Sequence, residues 1–413
     1  MDPVIIVGGG ITGLTLALSL HEAGIACRIF ESAAELKPLG VGINLLPHGV
    51  RELTELGLQP AIAARAVETR EMIYYSRHGQ FIYSEPRGRF AEYEWPQFSI
   101  HRGHLHEVLV AAVRERLGAE AIAMGHRCTG FEQDDAGVTL HFAEPVTGRK
   151  LLSANGEIAV GCDGIHSVIR RQLFPDEGPP AYQGINMWRG VTRWKPFLTG
   201  ATMVQAGWLD VGKMVIYPIS HDPDDQGRQL INWVAEIQSP RNVMQDWNLA
   251  GRLDDILPTF ADWNFPWLDV PAMMRNAEVL LEYPMVDRDP LPYWTAGRIT
   301  LVGDAAHPMY PRGGNGAGQG ILDARTLAHC YRSTPNAAAL KAYESARLPA
   351  ANKVVLMNRT APPDAILKLV HERSGGKPFE NLNELVSPDE LAAITDRYKV
   401  AAGFDRASLA AGS

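Results

Sequence analysis

Gly8, Gly10 and Gly13 stand in the run Gly8-Gly9-Gly10-Ile11-Thr12-Gly13, between an all-apolar segment, Val4-Ile5-Ile6-Val7, and a stretch in which Leu14, Ala17, Leu18 and His21 recur at helical spacing. Glycine serves a different purpose at each place. The first permits a tight strand-to-helix turn, the second lets the backbone approach a pyrophosphate, and the third lets helix and strand pack closely. The helix start that follows, with Thr12 in its first turn, offers unpaired N–H groups to phosphate oxygens. Glu31 ends the next strand, Cys27-Arg28-Ile29-Phe30, about 20 residues on, where a carboxylate can accept from both ribose hydroxyls and excludes a 2′-phosphate. These residues predict a bound dinucleotide, NAD or FAD. A bare glycine turn at a buried strand end would need neither the helix nor the acid.

The rest of the chain decides between the two nucleotides. A simple dehydrogenase would continue as βαβα. Here the chain breaks into antiparallel strands and returns twice to short apolar strands, near Ile158 and Ile299. Each return ends in a glycine and an acid: Cys162-Asp163-Gly164-Ile165-His166-Ser167, and Gly303-Asp304-Ala305-Ala306-His307. Acids at the carboxyl ends of parallel strands lie where ligands bind in such folds. Asp304 is placed to accept from a ribityl hydroxyl. Taken singly, each pair also suits a helix cap or an Asx turn.

In this order, the glycine fingerprint, the Asp163-Gly164 segment and the Gly303-Asp304 segment resemble the group A flavoprotein aromatic monooxygenases, the family of p-hydroxybenzoate and salicylate hydroxylases. Ser99-Ile100-His101-Arg102-Gly103 and Tyr343-Glu344-Ser345-Ala346-Arg347 add to the likeness. Leu39-Gly40-Val41-Gly42-Ile43-Asn44, Met187-Trp188-Arg189-Gly190-Val191-Thr192 and Tyr283 to Pro292 are similar to members acting on a carboxylated phenazine. The resemblance implies an α/β fold: a Rossmann-like FAD-binding domain of the p-hydroxybenzoate hydroxylase type, an inserted, mainly antiparallel β-sheet domain for substrate, and C-terminal helices. It implies FAD contacts from Arg102 and from the loop Pro311-Arg312-Gly313-Gly314-Asn315-Gly316, with Gly314, Asn315 and Gly316 under the isoalloxazine ring. The start of the helix opened by that loop would place about half a positive charge near the ring. Arg312 departs from the apolar residue or histidine expected there. It either adds charge near the flavin or points to solvent.

The implied activity is hydroxylation of an aromatic or N-heteroaromatic ring, phenazine- or salicylate-like and in one version carboxylated, by O2 through a C4a-hydroperoxyflavin. NADH or NADPH would dock transiently as electron donor. The competing readings are a flavin reductase or dehydrogenase on the same scaffold, like the prenyl reductases, and a non-catalytic FAD-binding redox module. Candidate substrate contacts are Asn44, Pro311, and the alternating Lys213, Val215 and Tyr217, which share one strand face. Lys213 either pairs a substrate carboxylate or lies in solvent at a strand end. Of Trp188 and Arg189, one reaches the cavity while the other packs outside. His48, His101, His106 and His307 receive no proton-transfer role, since the flavin carries the chemistry.

The elements that position these residues follow from patterning over 413 residues. A dinucleotide-binding domain is expected from 1–70, 99–175 and 291–360, a β-sheet domain from 71–98 and 176–290, and a helical tail with no chemistry of its own from 361–413. Glu71 to Tyr75 and Phe81 to Ser84 read as a hairpin; Met187 to Thr192, Lys213 to Ile219 and Leu230 to Ile237 read as strands. The net charge of −8 argues against nucleic-acid binding through bulk charge. The uncharged run from Val4 to Leu20 is broken by glycines and is shorter than the ~20 residues of a spanning helix, so no membrane span is expected. Four cysteines without CxxC spacing suggest neither a metal site nor a disulfide framework, and fit a cytoplasmic protein.

Overall fold

A computed structural model describes residues 3–35, 40–239 and 249–411. Leu39, in one of the segments quoted above, lies outside them. Val4–Val7 is apolar throughout and buried at every position, as a strand covered on both faces must be. It is central in a six-stranded sheet ordered Thr295–Ala296, Ile299–Leu301, Ala159–Gly161, Val4–Val7, Cys27–Phe30, Ile122–Ala123. Pairing is parallel except at the Thr295–Ala296 edge. Val7 lies opposite both Phe30 and Gly161, and Gly161 opposite Leu301. Four chain segments therefore leave the sheet at one level, and Gly8, Glu31, Asp163 and Asp304 gather at its carboxyl edge.

The second sheet has seven strands, ordered Ala277–Asp287, Ala181–Trp194, Gln229–Gln238, Lys213–Pro218, Thr202–Gly207, Glu71–Tyr75, Phe81–Pro86. Only Thr202–Gly207 and Glu71–Tyr75 pair in parallel, which brings the expected hairpin onto the sheet's far edge. Both faces are covered. Alternate residues of Lys213–Pro218 serve different cores: Val215 and Tyr217 join Val234, Met285 and Tyr310 on an inner face, while Met214 and Ile216 join Trp233, Phe260 and Trp263 on an outer one. Trp188 belongs to the outer core, which leaves Arg189 on the inner face.

The chain after Pro362 is more than a docking tail. Ile366, Leu367 and Val370 of helix Ala365–Ser374 and Leu391 of helix Pro388–Ala402 close the inner core. Periodicity shows the apolar stripe of these helices but not the distant surface that it covers.

Asp323, fully buried in helix Gly316–Ser333, ties the Gly303-Asp304 turn to its surroundings. It accepts from Gly303 N–H at 3.1 Å, from Arg347 Nε at 2.7 Å, and from His307 Nε2. Burial pushes its carboxyl up, but His307 and Arg347 more than offset this and hold it down at about 2. A carboxyl lowered on folding contributes stability that is complete above its unfolded value, near 4, and is lost as pH falls toward 2. Asp323→Asn should therefore cost stability at pH 6, and the gap to the parent should narrow by about 1 kcal/mol by pH 3. Urea unfolding at both pH values measures this. A gap that stays constant would place the acid sensitivity elsewhere.

Candidate functional site

At the carboxyl edge of the parallel sheet, Gly8 turns the chain and Gly13 lets helix and strand close up. Gly8 has φ +105°, and a Cβ there would lie 2.4 Å from the Cys162 carbonyl oxygen; a Cβ on Gly13 would lie 2.0 Å from the Gly8 oxygen. Around Gly10 nothing lies within 4 Å of that position, so the backbone borders open space. Gly10 caps helix Ile11–Glu22 without a side-chain acceptor, which leaves the first N–H groups available to an anion. The Thr12 side chain turns the other way, into a crevice against Gly303 and Gly320, where it packs rather than binds phosphate. Glu31 accepts from Gly9 N–H at 2.7 Å, from Ala33 N–H at 2.7 Å and from the Ser32 hydroxyl. With about four acceptor sites on a carboxylate, capacity remains for about one ribose hydroxyl rather than two.

The two acids of the returning strands differ. Asp163 Oδ2 accepts from Val168 N–H at 2.8 Å and so caps the helix Val168–Leu173, while its Oδ1 is buried with no partner. Asp304 makes no such cap. Burial pushes its carboxyl up, against the pull of His307 and Arg102. The first residue of helix Gly316–Ser333 closes on it: a Cβ on Gly316 would lie 3.9 Å from Asp304 Oδ1. A glycine cradle, an uncapped helix start, Glu31, the half-buried Asp163, the exposed Asp304 and Arg102 at the start of helix Arg102–Leu117 line one edge. Its open backbone and spare acceptors fit FAD.

The 311–316 loop is shaped by the tail. Tyr398 accepts from Asn315 Nδ2 at 3.0 Å and stands 2.6 Å from Asn358 Oδ1 and 3.1 Å from the Arg312 oxygen. Gly313, at φ +86°, passes so close that a Cβ would lie 2.2 Å from the Tyr398 hydroxyl. Gly314, at φ +67°, faces Asn44, and Pro311 is exposed. Arg312 is only partly exposed and does not stand as free charge. It pairs with Asp364 at 3.1 Å and lies over the Trp208 ring.

Facing that loop, strand Gly42–Leu45 is tied to the large sheet. Gly42 N–H donates to Asn232 Oδ1 at 2.7 Å, and its oxygen accepts from Tyr217 at 2.9 Å and from Arg189 Nη2 at 2.7 Å. Tyr217 thus has its proton committed to the backbone rather than free for a phenol. Asn44 accepts from the Ser99 hydroxyl at 2.6 Å. Val215 lies on the inner face as expected. Lys213 corrects both readings of it. It is 2% exposed, so it is no solvent lysine, and its ammonium lies 3.0 Å from Glu236 and 2.6 Å from Asp364, so it brings no unmatched charge to a substrate carboxylate.

The histidines are engaged in the framework. His101 accepts from Gly103 N–H, and His106 Nε2 lies 2.7 Å from the Gly9 oxygen. His48 stacks on Phe404, and burial, with Arg347 and Arg51, pushes its ring down to about 3. Asp364, Tyr398 and Asn232 were not legible as site residues. Each acts on a partner tens to hundreds of residues away, and no local motif marks such a contact.

Residues 1–188 and 287–358 match a family model described as an FAD binding domain. Phenazine 1,6-dicarboxylic acid hydroxylase PhzS of Lysobacter antibioticus is 45% identical over 364 residues, covering 86% of this chain and 89% of that one. The 3-amino-4-hydroxybenzoate 2-monooxygenase of Streptomyces cremeus is 33% identical, covering 84% and 83%. Among solved structures, Klebsiella pneumoniae HpxO complexed with FAD and uric acid shares the fold, with a TM-score of 0.76 at 22% identity over 99% of this chain and 97% of that one. The edge that fits FAD and the sheet that walls it off are thus those of known flavoenzymes, and the chain belongs to the family of FAD-dependent aromatic-ring monooxygenases.

Proposed function

We propose that this chain hydroxylates a carboxylated aromatic or N-heteroaromatic ring, with NADH or NADPH as electron donor and O2 as oxidant, in the cytoplasm. The observation that carries the carboxylate is Arg189. It lies on the inner face beside Gly42, its Nε has no partner, and no carboxylate lies within ion-pair reach of it among the described residues. An unmatched guanidinium in a largely buried wall calls for an anion. The name of the 45% identical relative, a dicarboxylic acid hydroxylase, supports the same substrate class.

Bound FAD supplies the oxygen-activating chemistry. The chain's own residues bind, orient and exclude water. Glu31 and the first turn of helix Ile11–Glu22 hold the nucleotide end. Asp304 and Arg102 hold the middle, and the loop braced by Tyr398 supports the ring. The apolar inner core, closed by the tail helices, keeps water from the reacting face.

Carboxylated aromatics should speed NAD(P)H oxidation by the purified yellow enzyme, and labelled O2 should put its oxygen into the product. NAD(P)H consumption without incorporation would make the chain a reductase instead. Glu31→Ala should weaken FAD binding by about 1–3 kcal/mol, the loss of a charged hydrogen-bond partner, read by titrating apoprotein with FAD. Unchanged affinity would remove Glu31 from the nucleotide site. Tyr398→Phe keeps the ring but loosens Asn315 and the Arg312 carbonyl. The share of NAD(P)H oxidised to peroxide rather than product should rise several-fold, since a misplacement of ~1 Å costs on the order of 100-fold in rate. A peroxide share equal to the parent's would leave Tyr398 a packing residue.

A further inference from the structure

Register places five residues in one row across the inner face of the large sheet. Arg189 pairs with Val234, Val234 with Val215, Val215 with Gln205, and Gln205 with Tyr74. Directly paired residues share a face, so the row runs from a cation, over two valines, to two polar side chains. Those polar side chains are buried. Tyr74 is 0% and Gln205 5% exposed, yet Tyr74 Oη and Gln205 Oε1 have no hydrogen-bond partner among the described residues. Leaving buried polar atoms unmet costs free energy, and two of them side by side point to a ligand group that meets them.

The charges nearby do not compete for an anion: beside Tyr74, Arg87 and Lys399 face Glu85, and Lys399 also faces Asp396. Lys213 and Arg312 face Glu236 and Asp364, two cations for two carboxylates. Arg189 has no such partner among the described residues. From Arg189 to Gln205 is three strand spacings, roughly 14 Å at about 4.8 Å each. That span exceeds one ring with one substituent and suits a fused polycyclic ring substituted at both ends.

Resting on the carboxylated-aromatic reading above, we propose that this row is a two-ended recognition site. Arg189 takes an anionic substituent at one end of a flat, fused heteroaromatic substrate, Val215 and Val234 lie under its rings, and Gln205 with Tyr74 takes a second hydrogen-bonding substituent at the other end. Gln205 and Tyr74 thereby select for the second substituent, and Arg189 for the first.

The test titrates the FAD-loaded enzyme with phenazine, phenazine-1-carboxylate and phenazine-1,6-dicarboxylate, following the flavin absorbance. Tyr74→Phe and Gln205→Leu should each raise Kd for the dicarboxylate about tenfold or more while leaving the monocarboxylate within about twofold, the effect of one lost charged hydrogen bond. Arg189→Met should weaken both acids and spare phenazine, with Arg189→Lys restoring part of the loss. Tyr74→Phe preserves volume, and its FAD content and melting temperature report on folding. Equal weakening of both acids by Tyr74→Phe and Gln205→Leu, or no effect of Arg189→Met, overturns the proposal. A parent enzyme that binds only single-ring acids such as 3-amino-4-hydroxybenzoate overturns the two-ended site but leaves the carboxylated-aromatic reading standing. One that binds no aromatic acid overturns both.

Discussion

Three parallel pairings hold the site together. Val7 stands opposite Phe30 and Gly161, and Gly161 opposite Leu301, so strands far apart in sequence end at one level. A slip of one residue in any of them would move its loop by a strand step of about 3.3 Å. Cys162 would then leave its place against Gly8, and Asp304 would leave the start of helix Gly316–Ser333. The register is fixed because Val4–Val7, Ala159–Gly161 and Ile299–Leu301 are buried at every position and glycines allow the close approaches. A side chain at Gly8 would strike the Cys162 oxygen, and one at Gly303 would strike Thr12. Fold and cofactor edge therefore rest on one set of contacts.

The second level of organisation is the meeting of this edge with the large sheet. Gly42 is the hinge of that contact, because it offers its N–H to Asn232 and its oxygen to both Tyr217 and Arg189. A Cβ on Gly42 would come within 2.7 Å of Asn232 and Ile219, so only glycine brings the strand close enough for these bonds. Opposite it, Tyr398 braces the 311–316 loop from the tail. Two backbone segments thus face each other here, each pinned by side chains from another part of the chain. That is how a site without a protein nucleophile achieves the rigidity its chemistry needs.

What the sequence made legible was local or parallel. The glycine fingerprint, Glu31, the two acid-ended strands and the alternation of Lys213, Val215 and Tyr217 all state a period or a spacing, and each stands where that spacing implies. What it hid was pairing at a distance. Lys213 reads as a lone cation because Glu236 and Asp364 are 23 and more residues away, and burial with both reverses its meaning. Thr12 sits in a nucleotide motif, yet its side chain serves a helix crevice formed by Gly303 and Gly320. The tail looked inert since an amphipathic helix announces a buried face without naming the partner.

Charge balance connects these observations. Each buried cation near the inner face must be matched or must await a ligand, because an unpaired buried charge is costly. Lys213 and Arg312 are matched within the chain, and their network joins the tail to the loop and the sheet as structure rather than recognition. Arg189 differs in one respect: its fixed partner is a backbone oxygen, which orients the guanidinium without neutralising it. A carbonyl held by a glycine strand thus fixes the guanidinium and leaves its charge unmatched among the described residues. The same strand faces the 311–316 loop through Asn44 and Gly314. On the proposed reading, anchoring of the substrate and support of the flavin would be coupled through residues 42–44, and a substrate gripped at Arg189 would be registered against the 311–316 loop.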